Sequence, residues 1–409
     1  MPKTSPEIEA FARIKVVGVG GSGTNALDHM ILEKVKGVEF IAMNTDAQAL
    51  HHSAATKKIH MGKNLTRGLG TGMNPELGRK AAEETLEEIQ SILKGADMIF
   101  VACGMGGGTG TGASSAIAKI AKDQGALTVA VVTRPFFFEG AQRAYIADQG
   151  LQTLSKEVDA LIVIPNDRLL GMVDNTTSLS DSFAQCDEVL RQAVEGISDL
   201  ITTPGIINVD FADIKAVMQN AGSALMGIGY AEGEKRAIEA AKQAINSPLL
   251  DIDIDGARGV LFAIAGGDDM TMFEVQEAAK IITESIDKDA KVIFGAIRDE
   301  KLKKGQLKVT VIASGFPERS IQRALGIGSY TDRRSHNGES ASVVDPKADG
   351  DLDEEDEGKS FAAELMARAK DAERESSPRR DEAPAARKSD EEESEWSSIP
   401  AFLRRSRPK

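Results

Sequence analysis

The sequence predicts an α/β protein in which a parallel sheet is covered by helices on both faces and a smaller α/β unit follows. The first half alternates short, wholly apolar runs with longer amphipathic stretches. Strands without polar alternation are buried on both faces, which is typical of parallel sheets. The predicted strands are IKVVGV, VEFIAMN, ADMIFVAC, LTVAVVT and ALIVIP in the first unit and VLFAIAG, KVIFGAI and KVTVIAS in the second.

Three stretches carry the clearest helix signals. The first is predicted from Asn74 to Lys94, with Asn74 as the N-cap and Pro75 at the first helical position. The longest is predicted from about Ser180 to Thr202, where TTPG ends it, and it is the expected connector between the two units. EVQEAAKIITESI predicts a helix of the second unit.

Composition excludes several classes of protein. The 409-residue chain has a net charge of -14 and 4% aromatic residues, so neither nucleic acid nor an anionic membrane is an expected partner, except that the basic C-terminus RRSRPK could contact anionic lipid. Two cysteines, Cys103 and Cys186, cannot form a disulfide framework or a structural zinc site. The sequence contains neither a secretory signal nor an apolar stretch long enough to span a membrane, so a cytoplasmic location is expected.

The composition changes near Gly326, where charged residues, Ser, Ala and Pro become dominant. So little apolar material cannot offset the entropy of ordering, which predicts a disordered linker. Apolar residues return only in WSSIPAFLRRSR. The predicted organisation is an N-terminal extension (1–11), a nucleotide-binding domain (12–179), a central helix (180–204), a smaller α/β domain (205–320), the linker (321–395) and a C-terminal peptide (396–409).

A first glycine-rich turn follows the strand IKVVGV. Gly18, Gly20 and Gly23 form a G-x-G-x-x-G pattern, and Asp46 lies about where a dinucleotide enzyme places its ribose carboxylate. An NAD-linked oxidoreductase is therefore one hypothesis. A tight strand-to-helix turn that binds no ligand is the plainer alternative.

A second and richer loop, CGMGGGTGTGASSA at 103–116, again lies between a predicted strand and a predicted helix. Such a loop can place backbone N–H groups around phosphate oxygens, and the helix that follows adds its positive end. Two such turns on one sheet suit a nucleoside triphosphate better than a dinucleotide. In the absence of a Walker A motif, amides and helix ends would hold it, with Mg²⁺ sharing the charge.

GGGTGTG at 106–112, together with GVGGSGTNA, NTDAQAL, NPELGR, VVTRPFFFEG, IPND and NVDFAD in this order, resembles the FtsZ family of tubulin-like cell-division GTPases. The resemblance covers about residues 12–318. It implies a Rossmann-like GTPase domain joined by a central helix to a smaller α/β domain. It also implies head-to-tail filaments of the cytokinetic ring, midcell localisation, recruitment of division regulators, and hydrolysis of GTP to GDP with Mg²⁺.

The resemblance assigns a nucleotide site residue by residue. Glu139 and Arg143 would approach the ribose and phosphate, but their i, i+4 spacing also fits a surface ion pair. A solvated or core position is likewise the plainer reading of Asp187 and Phe183. The full set implied is Gly20, Gly21, Ser22, Gly23, Thr24, Asn25, Gly104, Gly106, Gly107, Gly108, Thr109, Gly110 and Thr111 for the phosphates, Glu139 and Arg143, and Asn166, Phe183 and Asp187 for guanine.

NVDFAD carries the implied catalytic residues. On spacing alone, Asp213 reads as a helix N-cap or first-turn acid and Asp210 as a turn residue. The resemblance implies instead that Asp210 and Asp213 polarise the attacking water in the GTP site of the next subunit, with Asn208 positioning it. A scaffold that binds GTP and assembles without hydrolysing it is the remaining alternative.

The C-terminal peptide resembles the family's docking motif for membrane adaptors such as FtsA. Its apolar anchors would be Ile399, Pro400, Phe402 and Leu403, with Arg404 at the charged rim. Ser398 stands where the family often has an acidic residue. Cys186 is unusual beside Asp187, and we hypothesise that thiol modification there affects nucleotide binding.

Overall fold

Six parallel strands form one half of the sheet, in the order β3-β2-β1-β4-β5-β6. The structure is a computed structural model, and it describes residues 12–171, 177–203, 205–247, 256–299 and 301–316. The five strands predicted here are confirmed, and the short β3 adds a sixth. Their bounds are β1 Ile14–Val19, β2 Val38–Asn44, β3 Lys57–His60, β4 Met98–Gly104, β5 Leu127–Arg134 and β6 Ala160–Pro165.

The register of this half brings the two glycine-rich turns together. Val19 at the end of β1 pairs with Cys103 near the end of β4, so the turns that follow leave the sheet at the same edge. Thr133 of β5 pairs with Gly104 of β4 on the next ladder. All six residues of β1 are buried, which agrees with a sheet covered on both faces.

The helix predicted over Asn74–Lys94 is two helices. Asn74 caps the first as predicted, since its side chain accepts a hydrogen bond from Leu77 N. The chain leaves the helical conformation at Thr85, whose hydroxyl donates to Ala81 O at 3.1 Å and accepts from Gly62 N at 3.2 Å. Hydrogen bonds from a β-branched side chain to the backbone compete with the helical backbone hydrogen bonds and favour a break at this position.

Helices cover both faces of the sheet. They are α1 Gly20–Leu32, α2 Ala47–His52, α3 Lys63–Thr66, α4 Pro75–Glu84, α5 Leu86–Leu93, α6 Thr109–Asp123, α7 Ala141–Glu157, α8 Asn166–Leu170, α9 Leu179–Thr202, α10 Phe211–Met218, α11 Arg236–Ile245 and α12 Met272–Glu284. A 3-10 turn spans Phe137–Glu139. The predicted long helix corresponds to α9. In the described part of the chain, no helix is both long and apolar enough to cross a membrane.

The second unit extends the same sheet as β7-β10-β8-β9, with β7 parallel to β6 and β10 antiparallel to both of its neighbours. Its strands are β7 Gly222–Glu232, β8 Gly259–Gly266, β9 Lys291–Arg298 and β10 Gln306–Ser314. The three predicted strands are confirmed, whereas β7 (GSALMGIGYAE) is an addition. Gly229 in this strand lies where a Cβ would come within 2.0 Å of Ala240 O, so α11 packs directly against the strand backbone.

The predicted extension 1–11, the linker 321–395 and the peptide 396–409 lie outside the described residues.

Candidate active site

A cavity of about 600 Å³ opens at the carboxyl edge of the parallel strands, where the two glycine-rich turns meet. In parallel α/β sheets, ligands bind at this edge. Its lining residues are Val19, Gly21, Ser22, Asn25, Thr71, Gly104, Met105, Gly107, Gly108, Thr109, Gly110, Thr133, Pro135, Glu139, Arg143, Asn166, Phe183, Cys186 and Asp187.

The N-termini of α1 and α6 converge on this cavity. The residues before them, Val19 and Gly108, make no side-chain capping bond, so the first-turn amides stay available to a ligand. The two turns touch: a Cβ on Gly20, which has φ +72°, would lie 2.8 Å from Gly110 N. Two uncapped helix ends with their positive dipoles side by side form a site for an anion with several phosphates.

Thirteen of the eighteen predicted nucleotide ligands line the cavity, and five lie behind it. Thr24 donates to Gly20 O at 2.7 Å, and Thr111 accepts from Gly106 N at 2.9 Å. A Cβ on Gly23 would lie 2.3 Å from Ala102 O, where α1 packs against β4. These five residues, Gly20, Gly23, Thr24, Gly106 and Thr111, shape the turns from within the protein.

A third glycine-rich turn also reaches the cavity. Gly68, Gly70 and Gly72 all have positive φ, and Thr71 between them lines the cavity. The Thr71 hydroxyl lies 3.2 Å from Thr109 Oγ1, which lies 2.6 Å from Thr45 Oγ1. Thr71 is outside the predicted set, although the spacing GLGTG is a signal of the same kind as the other two turns.

The far wall of the cavity is suited to a planar base. Asn166 is buried, and its Oδ1 has no hydrogen-bond partner among the described residues. Phe183 is 42% exposed and packs edge-to-face on Phe136, with ring centroids 5.4 Å apart. An exposed aromatic face beside an unpartnered buried acceptor matches a ligand that stacks and donates hydrogen bonds.

Asp187 completes this wall with a perturbed carboxylate. Burial raises the pKa of Asp187 to about 6, and the nearby charge of His29 acts in the opposite direction. His29 itself pairs with the neighbouring Glu188 at 3.1 Å. A half-buried carboxylate with a raised pKa lining a cavity is not a solvated helix position, and it marks a candidate binding group.

Glu139 and Arg143 form the surface ion pair that their spacing predicts, and they also lie at the cavity. The i, i+4 ion pair is 3.0 Å long. Glu139 also accepts from Phe136 N at 3.0 Å, which fixes its carboxylate. Arg143 is thus a cation at the cavity beside the second glycine-rich turn, where a Cβ on Gly106 would lie 2.8 Å from Arg143 O.

The carboxylate on which the dinucleotide hypothesis depends, that of Asp46, is not at the cavity. Asp46 caps α2 by accepting from Gln48 N at 2.9 Å and Ala49 N at 3.1 Å. With its side chain occupied by this cap, Asp46 is not placed to bind a ribose.

Cys186 lies at the cavity but has the properties of an inert thiol. It is 4% exposed, and its Sγ lies 3.4 Å from Ser182 O. Burial, together with the charge of Asp187, raises the pKa of Cys186 to about 12. The thiolate is the reactive form, so slow alkylation is expected at neutral pH.

The NVDFAD segment lies away from this cavity in its own chain. Asp210 immediately precedes α10, Asp213 lies in its first turn, and Asn208 Oδ1 accepts from Gly205 N at 2.7 Å. The segment follows the C-terminal end of α9, whereas Asp187 lies near the N-terminal end. Fifteen helical residues between Asp187 and Thr202 correspond to about 22 Å.

The cavity offers few ligands of its own to a metal. Among the described residues, no group of three or more His, Cys, Asp or Glu side chains is arranged to hold an ion. Mg²⁺ commonly binds through substrate phosphates and waters with one or two carboxylates. The hydroxyls and carboxylates at the cavity are compatible with that kind of site.

Fold and cavity together define a nucleotide-binding α/β protein that holds phosphates with glycine-rich turns and helix ends. Residues 13–174 match the model of the Tubulin/FtsZ family GTPase domain, and residues 222–317 match that of the FtsZ family C-terminal domain. The chain belongs to the FtsZ family of tubulin-like cell-division GTPases.

Solved structures agree with this assignment. An empty FtsZ dimer from M. jannaschii is 48% identical with a TM-score of 0.72, and the match covers 74% of this chain and 88% of that one. A mutant FtsZ from M. jannaschii is also 48% identical, with a TM-score of 0.72 and coverage of 75% and 92%. At 21% identity, a GTPgS-bound protofilament of CetZ2 from Haloferax volcanii shares the fold, with a TM-score of 0.67 and coverage of 79% and 99%.

Proposed function

We propose that this GTPase polymerises head-to-tail into filaments of the cytokinetic ring at midcell and hydrolyses GTP between subunits. The supporting observation is the separation within one chain of a complete nucleotide cavity from the acids Asp210 and Asp213. A head-to-tail contact would place these acids of one subunit on the cavity of the next, and such heterologous contacts propagate into filaments.

Exposed apolar side chains are consistent with contacts at both ends. Phe137 is 76% exposed and Phe138 50%, in the turn that precedes the cavity residue Glu139. Near the other end of α9, Ile206 is 67% exposed, in the segment that bonds to Ala296. Large apolar side chains in solvent favour a contact that buries them.

In the proposed reaction, amides of α1 and α6 bind the phosphates and Arg143 stabilises their charge. Asn166 and Asp187 bind guanine, whose N1–H and N2–H₂ groups are adjacent donors. Asn208 of the next subunit orients a water, and Asp210 and Asp213 polarise it toward the γ-phosphate. Mg²⁺, when bound, neutralises charge on the phosphates. Positioning and electrostatics carry most of such phosphoryl transfers.

The C-terminal peptide is proposed to dock on a membrane adaptor such as FtsA. Ile399, Pro400, Phe402 and Leu403 supply the apolar anchors, and Arg404 supplies charge. The acidic tract before them makes a tether, so a filament assembled in the cytoplasm would be held at the membrane and reached by division regulators.

GTPase activity per chain is expected to be near zero at low protein concentration and to rise steeply above a threshold. A site shared between subunits exists only after assembly. Phosphate release with Mg²⁺, measured across a dilution series, tests this. Specific activity that is constant with concentration would contradict the shared site, and binding of GTP without hydrolysis at any concentration would favour the passive scaffold.

GTP affinity is expected to fall as the pH drops through about 6, by roughly tenfold per pH unit below it. The pKa of Asp187 is raised to about 6, and only the ionised carboxylate accepts both guanine donors. The stability of the unliganded protein has the opposite pH dependence, because ionisation of a buried Asp187 destabilises the fold as the pH rises. Low pH therefore reduces GTP affinity without reducing this contribution to stability. Binding isotherms from pH 5 to 8 measure the effect. Asp187→Asn, which keeps every other titrating group, should remove this component.

A further inference from the structure

A second groove, of about 980 Å³, lies at the edge of the sheet opposite the nucleotide cavity. It is formed by the C-terminal parts of α7 and α10, residues 220–221, the amino ends of β6, β7, β8 and β9, and residues 314–316 at the end of β10. It shares no lining residue with the nucleotide cavity and has no part in the proposed reaction.

Its chemistry is unusual for this protein. The floor is apolar, with Leu151, Leu161 and Val163 each less than 5% exposed. The rim carries Lys156, Arg258 and Lys291, and none of the described residues that line the groove is acidic. On a chain with a net charge of -14, this is a local concentration of positive charge.

These three cations have no ion-pair partner among the described residues. Lys291 N donates to Arg258 O at 2.9 Å, which holds those two residues side by side at the rim. The acid beneath the groove, Asp159, is occupied: it accepts from Thr128 N at 2.9 Å and pairs with Lys122 at 3.6 Å. An exposed trio of cations over an apolar floor fits an acidic peptide with an occasional apolar side chain.

We propose that the groove binds the acidic segment 351–357 (DLDEEDE) of the same chain. Phe316, the last described residue, lines the groove, so the rest of the chain starts there. The segment carries six carboxylates around Leu352, which matches three cations and an apolar floor. A random coil as long as residues 317–350 would span roughly 30 Å, enough to return to the groove.

The other acidic block, 390–395, is a weaker occupant. It lies about twice as far along the chain, and effective concentration falls roughly as the −3/2 power of tether length. It has five acids with two cations, Arg387 and Lys388, within three residues of its ends, whereas segment 351–357 has six acids with one cation, Lys359, at that distance.

Docking would be electrostatic and therefore sensitive to salt. Ion pairs at a solvated rim are individually weak. Attachment to the same chain raises the effective concentration of the acidic segment at the groove to about the millimolar range, so weak pairs suffice for docking. Screening at about 0.5 M salt shortens their range to a few ångströms. The groove would be occupied in dilute protein at low salt and released at high salt.

Zero-length carbodiimide cross-linking of the full chain tests the proposal. An equal mixture of isotope-labelled and unlabelled protein, kept below the assembly threshold, separates links within a chain from links between chains. We expect peptides that join Lys156 or Lys291 to residues 351–357, with matching labels only. Their yield should fall several-fold at high salt and in a variant with all six acids changed to Asn or Gln.

Two controls keep the result specific. Neutralising the acids of 390–395 should leave the links unchanged, and both tail variants leave the described residues intact. Arg258→Gln keeps both lysines, yet it should lower the yield of the same links. Links only between chains, links mainly to Glu318 or to 390–395, or yields insensitive to salt and to Arg258→Gln would each overturn the proposal.

Discussion

Asp213→Ala is expected to keep GTP binding and to lower GTP turnover by at least about 100-fold, the scale of removing a group that polarises the attacking water. Asp213 lies outside the cavity of its own chain, so nucleotide affinity should not change. Filaments should persist because hydrolysis no longer limits their lifetime. Phosphate release, GTP binding and light scattering on one preparation measure the three effects.

Glu239→Ala is the matched control. Glu239 is also an exposed acid in the first turn of a helix of the second unit, so its loss reports the helix-dipole contribution alone. Its turnover should stay near that of the parent. Normal turnover in Asp213→Ala, or an equal loss in Glu239→Ala, would contradict the role of Asp213.

Mixing two inactive variants tests whether the site is shared. Asp213→Ala keeps an intact cavity, and Asp187→Ala keeps an intact NVDFAD segment. In random head-to-tail assembly of an equal mixture, about a quarter of the interfaces would join an intact cavity to an intact NVDFAD segment. Partial recovery of turnover is therefore expected in the mixture, whereas a site contained within one chain would recover nothing.

The sequence indicates most of the sheet because buried parallel strands are apolar along their whole length. IKVVGV and VEFIAMN coincide with β1 and β2. The strand β7 was not predicted from GSALMGIGYAE, in which Gly229 allows α11 to pack directly against the strand backbone. Thr85 divides a helix, and one of its two hydroxyl hydrogen bonds comes from Gly62 N, 23 residues earlier, which no local pattern reports.

For the candidate site, motifs identify the turns but not which atoms face the ligand. Gly21 and Gly107 have open space where a Cβ would be, whereas Gly23 is pressed against β4. The glycine spacing is the same kind of signal in each case. The raised pKa of Asp187 depends on burial by neighbours from other elements, and this requires the folded structure.

Asp187→Asn is expected to weaken GTP binding by about 100-fold and to improve binding of xanthosine triphosphate. The ionised carboxylate of Asp187 accepts hydrogen bonds from guanine N1–H and N2–H₂ together. The asparagine amide has one acceptor oxygen, so it loses a charge-assisted hydrogen bond and places its own NH₂ donor against a guanine donor. Xanthine has a carbonyl in place of the N2 amine. An asparagine at 187 can accept from its N1–H and donate to that carbonyl.

Competition binding with GTP, xanthosine triphosphate and ATP on the parent and Asp187→Asn measures this exchange. Glu188→Gln is the neighbouring control, because Glu188 pairs with His29 and Arg191 and does not line the cavity. It should retain the preference for guanine. If Asp187→Asn instead binds all three nucleotides more weakly by the same factor, the Asp187 carboxylate stabilises the cavity and does not contribute to recognition of the base. The guanine contact would then have to come from Asn166, whose Oδ1 is buried with no hydrogen-bond partner among the described residues.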